Sequence, residues 1–330
     1  MRVRLGLHYS LSSTTGTDWA DLHEASIEQA VAAEGYGFDS VVVAEHHFTK
    51  DGWVPSPIVV CGGLATRTKR IRIGTDIIVM PLHHPVTVAE DMVTLDTLSR
   101  GRAICGLGLG WQEQEFNTFG VPFKQRVGRL EEGTYLVRRL LGEEHVTYHG
   151  TYWQVDDITV TPRPVQRPTP PIWIGAIVES AVRRAGRIGD AWVMPPRPTL
   201  GELAKLQGAY REDLEAAGRS FDRAEKPIRR EGYVAEDDET AWREAGAALR
   251  YQYAEVYGRI SPTMPMDELR KYAQDRFIVG GPETFIKEVK RYQSAMDIDL
   301  LLMRMQLPGI PQDRVMNAVH LLGKYVLPKI

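Results

Sequence analysis

Short β-branched runs alternate with helix-length segments along most of this chain, and that alternation constrains its fold more than any other feature. Strand candidates at residues 3–8, 38–44, 71–80 and 102–108 are separated by helical spacing at 18–34, about 57–66 and 85–98, with a further helix at 127–141. Strands separated by helices pair in parallel through crossover connections, so the pattern reads as βαβ units with a covered parallel sheet. The rhythm breaks at residues 145–160, which read as a hairpin turning at His149-Gly150, and then at a connector through Pro162, Pro164, Pro168, Pro170 and Pro171. It resumes with strands at 171–175, 190–194 and 228–235 and helices at 180–188 and 200–217. Residues 236–275 are helical, polar and aromatic, with Trp242, Tyr251, Tyr253 and Tyr257 and no strand candidate. A helix at 282–295, a strand at 299–305 and a helix at 312–327 complete the chain.

Eight strands with helix partners predict an α/β fold of one domain over residues 1–330, a single (β/α)8 TIM barrel with insertions. A barrel takes roughly 250 residues, and the surplus in these 330 matches two elaborations. These are the hairpin and Pro-rich connector at about 145–170 and a helical lid at about 236–275.

Composition narrows the function. Forty Lys and Arg against forty-three Asp and Glu give a net charge of -3, so no global positive field holds nucleic acid or an anionic membrane. No run approaches the roughly 20 apolar residues of a membrane span. Cys61 and Cys105 sit in apolar surroundings without Cys-x-x-Cys spacing, which excludes a disulfide framework and a structural zinc cluster. With no apolar signal segment after Met1, a cytoplasmic location is expected.

Barrel enzymes build their sites at the C-terminal strand ends. After the second strand comes Glu45-His46-His47-Phe48, suited to general acid/base chemistry or metal ligation, or to simple capping of a strand in a polar loop. A metal centre would need further convergent ligands from His8, His83 and His84. Adjacent residues in an extended segment face opposite ways, so each pair offers one ligand at most, and no metal is expected. Gly106-Leu107-Gly108-Leu109-Gly110 lacks the G-x-G-x-x-G form and first-unit position of a dinucleotide fingerprint. It permits close approach of a flat ring or a loop, or tight packing at the rim. The helix starting near Ser180 offers free backbone N–H groups to a phosphate, or has only a Ser or Glu cap.

Several stretches together resemble the bacterial luciferase-like superfamily of flavin- and deazaflavin-dependent oxidoreductases. They are Gly35-Tyr36-Gly37-Phe38-Asp39-Ser40 with Ala44-Glu45-His46-His47-Phe48, Ile73-Gly74-Thr75-Asp76-Ile77-Ile78-Val79-Met80-Pro81, and His84-Pro85-Val86 with Leu95-Asp96. Ser99-Arg100-Gly101-Arg102, Gly106 to Trp111, Pro171-Ile172-Trp173-Ile174-Gly175 and Arg187-Ile188-Gly189-Asp190 follow in the family's order.

The resemblance implies a barrel with reduced FMN, or alternatively the deazaflavin coenzyme F420, across the strand ends. His46 matches the catalytic histidine, and Asp76-Ile77 the non-prolyl cis peptide beneath the ring. Ile177, Val178, Glu179 and Ser180 match the phosphate site. Leu109 stands where luciferase has a phosphate-binding arginine, so light emission is not implied. Trp111 stands where the sugar-phosphate dehydrogenase branch has an acidic glutamate, which disfavours that reaction. Glu-His-His-Phe favours FMN. The resulting expectation is a monooxygenase that takes reduced FMN from a separate NAD(P)H:flavin reductase and uses O2 to oxygenate a small organic substrate. His8, Glu45, His47, Trp53 and Trp111 would surround that substrate, and the resemblance implies a homodimer. A metal-dependent barrel hydrolase and a flavin-binding barrel without turnover are the alternatives.

Overall fold

The computed structural model describes residues 2–13 and 18–330. The first half runs β1 (Arg4–Tyr9), α1 (Trp19–Tyr36), β2 (Ser40–Val43), α2 (Pro57–Arg67), β3 (Arg72–Thr75), β4 (Ile78–Val79), α3 (Pro85–Ser99), β5 (Ala103–Gly108), α4 (Glu113–Thr118) and α5 (Arg126–Gly142). A hairpin of β6 (Val146–His149) and β7 (Gln154–Ile158) follows. The second half runs β8 (Ile172–Gly175), α6 (Glu179–Ile188), β9 (Ala191–Val193), α7 (Leu200–Ala216), β10 (Pro227–Val234), α8 (Asp238–Tyr251), α9 (Met266–Ala273), β11 (Phe277–Gly280), α10 (Pro282–Ala295), β12 (Leu300–Arg304) and α11 (Gln312–Leu321).

Helix ends follow the residues that cap them. Asp18 accepts the Ala20 N–H at 2.8 Å to open α1, and Gly37, at φ 89°, closes it in the left-handed region that glycine enters freely. Thr199 and Glu202 form a reciprocal capping box on α7.

The strands pair in parallel in the order β10, β12, β1, β2, β3, β5, β8, β9, and a bridge between Met194 and Ile228 brings β9 to β10. The fold is the expected (β/α)8 barrel. Its interior is filled by alternate strand residues, among them Val42, Ile104, Trp173, Val193 and Leu302. Their neighbours Val41, Val43, Cys105 and Leu107 belong to the larger core that includes the helices. By the same alternation Gly106 and Gly108 of β5 face inward with Ile104. A Cβ on Gly106 would lie 1.8 Å from the Thr75 carbonyl oxygen, so this position admits only glycine.

Three expectations need correction. The run read as one strand over 71–80 is two strands, interrupted at Asp76–Ile77, whose peptide bond is cis. The Asp76 N–H still bonds the Val43 carbonyl, but beyond the break β4 keeps only the pairing with β5, whereas β3 pairs with both β2 and β5. The second correction is β11, a four-residue strand with no counterpart in the sequence reading, which pairs with Glu231 to Val234 of β10. Its Phe-Ile-Val-Gly is too short to show a period of its own, and only the β10 edge makes it a strand. The hairpin turn also lies later than His149-Gly150: the Gly150 N–H bonds the Trp153 carbonyl, and Glu132 accepts the N–H groups of Thr151, Tyr152 and Trp153.

Candidate active site

A cavity of about 420 Å³ opens at the C-terminal ends of the strands. The loop after β2 turns on the alternation of extended backbone, which sends His46 into the cavity and His47 behind it. His47 Nε2 lies 2.7 Å from Glu45 Oε1, and His83 Nε2 reaches the same oxygen at 2.7 Å, while Glu45 Oε2 accepts the Val79 N–H at 2.6 Å. Burial opposes the charge on Glu45, but these three partners hold its pKa down at about 2. Burial likewise opposes the charge on His83, and Glu45 more than offsets it, raising the His83 pKa. Glu45 therefore ties the loops after β2 and β4 together as an ionised strut.

His46 is held on all sides. Its Nδ1 lies 3.3 Å from Glu115 Oε1, and Gln112 Nε2 is 3.4 Å from the same nitrogen. Its ring meets Trp53 edge-on at 4.5 Å and Trp111 at 6.0 Å. Glu115, on α4, is fully buried and also accepts the His47 backbone N–H at 2.9 Å. Trp53 is fixed in turn by Asp51 at 2.8 Å and by the Arg304 guanidinium 4.9 Å over its ring.

Asp76 and Ile77 form the floor. A Cβ on Gly108 would meet Ile77 Cδ1 at 2.6 Å, and one on Gly175 would meet Ile77 Cγ2 at 3.1 Å. The floor can thus lie flat only because glycine occupies both strand ends. Leu109 continues this apolar wall. Burial raises the pKa of Asp76, with Arg229 opposing. His8 lies beneath the floor, fully buried, its Nε2 3.3 Å from the Asp76 carbonyl and 3.1 Å from Arg229 Nη1. Burial first, then the charges of Arg229 and Arg304, push the His8 pKa well below the ordinary histidine value, so it is neutral at physiological pH.

At the far wall, Ile177 and Val178 line the cavity where α6 begins. No side chain caps this helix, whose first-turn N–H groups have no intrahelical acceptors. Its arginines are engaged elsewhere: Arg183 with Glu179, Glu212 and Asp213, Arg184 with Glu131, and Arg187 with Asp213. The cation facing this end of the cavity is instead Arg126, at the start of α5. It stacks 3.8 Å over Phe123 and leaves its buried Nε without a partner.

Of the residues singled out in the sequence, Glu45, His46, Trp53, Asp76, Ile77, Leu109, Trp111, Ile177 and Val178 line this cavity. His8, His47, Glu179 and Ser180 lie outside its lining, the first two below or behind it. Sequence reasoning missed Glu115, Arg126, Arg197 and Arg229. The pair Arg229-Arg230 inside an otherwise buried strand was the available signal, since guanidinium groups are placed there only with partners or a purpose. Among the described residues no helix is long and apolar enough to cross a membrane.

A flat apolar floor, a histidine at its edge, and an uncapped helix start beside an arginine fit a flat ring bearing a phosphate. The model of the luciferase-like monooxygenase family matches residues 6–297. An F420-dependent glucose-6-phosphate dehydrogenase of Nakamurella multipartita is 30% identical over 99% of this chain and 96% of its own. A 4-hydroxyprotoasukamycin monooxygenase of Streptomyces nodosus subsp. asukaensis is 28% identical over 99% of this chain and 92% of its own. Among solved structures, the monooxygenase RslO1 of Streptomyces bottropensis superposes with a TM-score of 0.90 at 24% identity, covering 99% of each chain.

Proposed function

The chain belongs to the luciferase-like monooxygenase family of oxidoreductases, and on that premise we propose that it is a flavin-dependent monooxygenase using reduced FMN and O2 on a small organic substrate. The observation that carries this reading is His46, aimed into a cavity floored by Asp76 and Ile77 and oriented from behind by a buried carboxylate. When bound, the reduced flavin would supply electrons to O2. Ile77, Gly108 and Gly175 would receive the ring, and the first turn of α6 with Arg126 would receive the phosphate.

The protein's own contribution is proton handling and exclusion of water. A histidine backed by a carboxylate at Nδ1 presents Nε2 to the cavity, where it gives or takes a proton and stabilises developing negative charge. Trp53, Trp111 and Tyr257 keep bulk water from that nitrogen. No nicotinamide fingerprint occurs in the sequence, which supports delivery of reduced flavin by a separate NAD(P)H:flavin reductase.

A second reading, an F420-dependent oxidoreductase, is favoured by the Nakamurella relative. Trp111, which lines the cavity where the resemblance puts the glutamate of the sugar-phosphate dehydrogenase branch, speaks against that one reaction, and Glu45-His46-His47-Phe48 favours FMN. Anaerobic titration of the protein with reduced FMN and reduced F420, each alone, decides between them. We expect FMN to bind at least about tenfold tighter and to support O2-dependent product formation. Tighter F420 binding without oxygen consumption would reverse the assignment. In His46→Ala, turnover falls by about 10²–10⁴, and unchanged turnover would remove His46 from the chemistry.

A further inference from the structure

The cavity has a second cationic end that the cofactor reading leaves unused. After β9 the chain passes through a loop at residues 195–198 that is fixed from behind. Arg230, fully buried, donates from Nη1 to the Pro195 carbonyl at 2.9 Å and from Nη2 to the Pro198 carbonyl at 3.3 Å. Arg276 Nε donates to the Arg197 carbonyl at 3.1 Å. The backbone of Arg197 is thus anchored, yet its half-buried guanidinium, which lines the cavity, has no hydrogen bond or ion pair with any described residue.

The two arginines that act on it, Arg259 and Arg229, are both cations. Arg229 lines the same cavity and is 3.7 Å from Asp76, its nearest carboxylate partner. Burial first, then Arg259, and more weakly Arg229, hold the Arg197 pKa below the ordinary arginine value. An arginine so displaced is still protonated at neutral pH. A guanidinium on an anchored backbone, partly removed from water, repelled by its neighbours and lacking a counter-charge, destabilises the empty protein, and such features persist at sites that bind something.

We propose that Arg197, with Arg229 behind it, binds an oxyanion group of the substrate, so that this cavity takes a small organic acid: a carboxylate, sulfonate or phosphate monoester on an apolar body. The inference rests on the cavity being the catalytic pocket. Its apolar wall is continuous, since the Tyr257 ring meets Trp53 at 6.2 Å and Trp53 meets His46 at 4.5 Å, both edge-on. The body of the acid lies along that wall, with its anion at Arg197 and its reacting carbon at His46. The cofactor's phosphate is assigned to Arg126 and the start of α6, so the two arginines serve different anions.

The test titrates FMN-loaded protein with benzoate, its neutral isostere benzamide, and inorganic phosphate, followed by flavin and tryptophan fluorescence. Benzoate is expected to bind about tenfold or more tightly than benzamide, with phosphate competing. Arg197→Met reduces that preference to about twofold or less while leaving FMN affinity unchanged, and Arg197→Lys keeps part of it. The Arg197 side chain has no partner to lose, so the Tm of Arg197→Met stays at or above that of the parent. Equal affinity for benzoate and benzamide would overturn the proposal, as would no saturable binding of either benzoate or phosphate. So would a charge preference that survives Arg197→Met or is abolished only by Arg126→Met, which would assign the anion to the cofactor site. The same titration on flavin-free protein separates the two readings: anion binding that depends on Arg197 in a protein with no affinity for FMN leaves this site standing and removes the flavin assignment.

Discussion

Glu115 Oε1 lies 3.3 Å from His46 Nδ1 and 2.9 Å from the His47 backbone nitrogen, so one buried oxygen holds both the loop after β2 and the ring of its histidine. When Nδ1 donates to Glu115, the neutral ring offers Nε2 to the cavity as an acceptor, and the protonated ring donates from there. Glu115 is a positioning residue that acts through His46. Glu115→Gln keeps an acceptor for His47 but loses the charge. It should lower kcat by about tenfold to a hundredfold with FMN affinity unchanged. Glu115→Ala strands the His47 N–H and costs a further 1–3 kcal/mol or so of stability in urea unfolding. Equal loss of FMN affinity and kcat in Glu115→Gln would show a merely structural role.

Glu45 links folding to pH. Its folded pKa of about 2 lies below the ordinary value of 4.5. Its contribution is therefore complete above pH 4.5 and is lost as pH falls from there towards 2. A depression of this size corresponds to about 3 kcal/mol. Urea midpoints of the parent and Glu45→Gln should differ most near pH 6 and converge near pH 2. His83, whose pKa is raised by the same pair, works in the opposite sense: its share is complete below 6.5 and is lost as pH rises through the elevated value. A gap between parent and variant that does not narrow on acidification would refute the strut.

The two inward glycines of β5 should respond differently to one methyl group. At Gly106 the added carbon meets a backbone carbonyl, which cannot move aside, so Gly106→Ala should lose about 3 kcal/mol or more. At Gly108 it meets Cδ1 and Cγ1 of the Ile77 side chain, which can shift further than a backbone carbonyl, so stability falls by less, about 1–2 kcal/mol. FMN affinity in Gly108→Ala should nonetheless drop about tenfold, because the floor is pushed into the cavity. Titration calorimetry and thermal melts on both variants separate these outcomes.

Arg126 predicts a difference between two flavins. If it contacts the phosphate, the parent binds FMN more tightly than riboflavin, and Arg126→Met lowers FMN affinity by about tenfold or more while leaving riboflavin binding unchanged. A parallel loss for both flavins would place Arg126 against the ring instead.

The elements easiest to read in the sequence were those whose period or punctuation is local. The helix at 282–295 appears with the boundaries expected of it, because Pro282 opens its first turn and its apolar residues recur on one face. The strand from Ala103 to Gly108 was legible as a continuous β-branched and small-residue run ending in glycines. Harder to read were features that exist only through a partner distant in sequence. β11 is a strand because β10 offers an edge, and Glu115 is a site residue because α4 folds back beneath a loop nearly seventy positions earlier in the chain.

The sequence by itself determined the barrel, the strand ends where chemistry could gather, and the Glu-His-His motif that carries the family resemblance, since hydrophobic period, glycine and proline placement and adjacent-residue alternation are local. Tertiary structure decided which histidine faces the cavity, which carboxylates are spent on structure, and which arginines lack a partner. Those properties depend on burial and on distances of a few ångströms between residues far apart in the chain, and charge interactions in a partly desolvated cavity are governed by both. His46 and His47 are neighbours in sequence, but only their surroundings distinguish a cavity residue from half of a buried hydrogen-bonded pair. The same holds for arginine: Arg183 is consumed by three carboxylates, while Arg197 has an anchored backbone and an unpaired side chain.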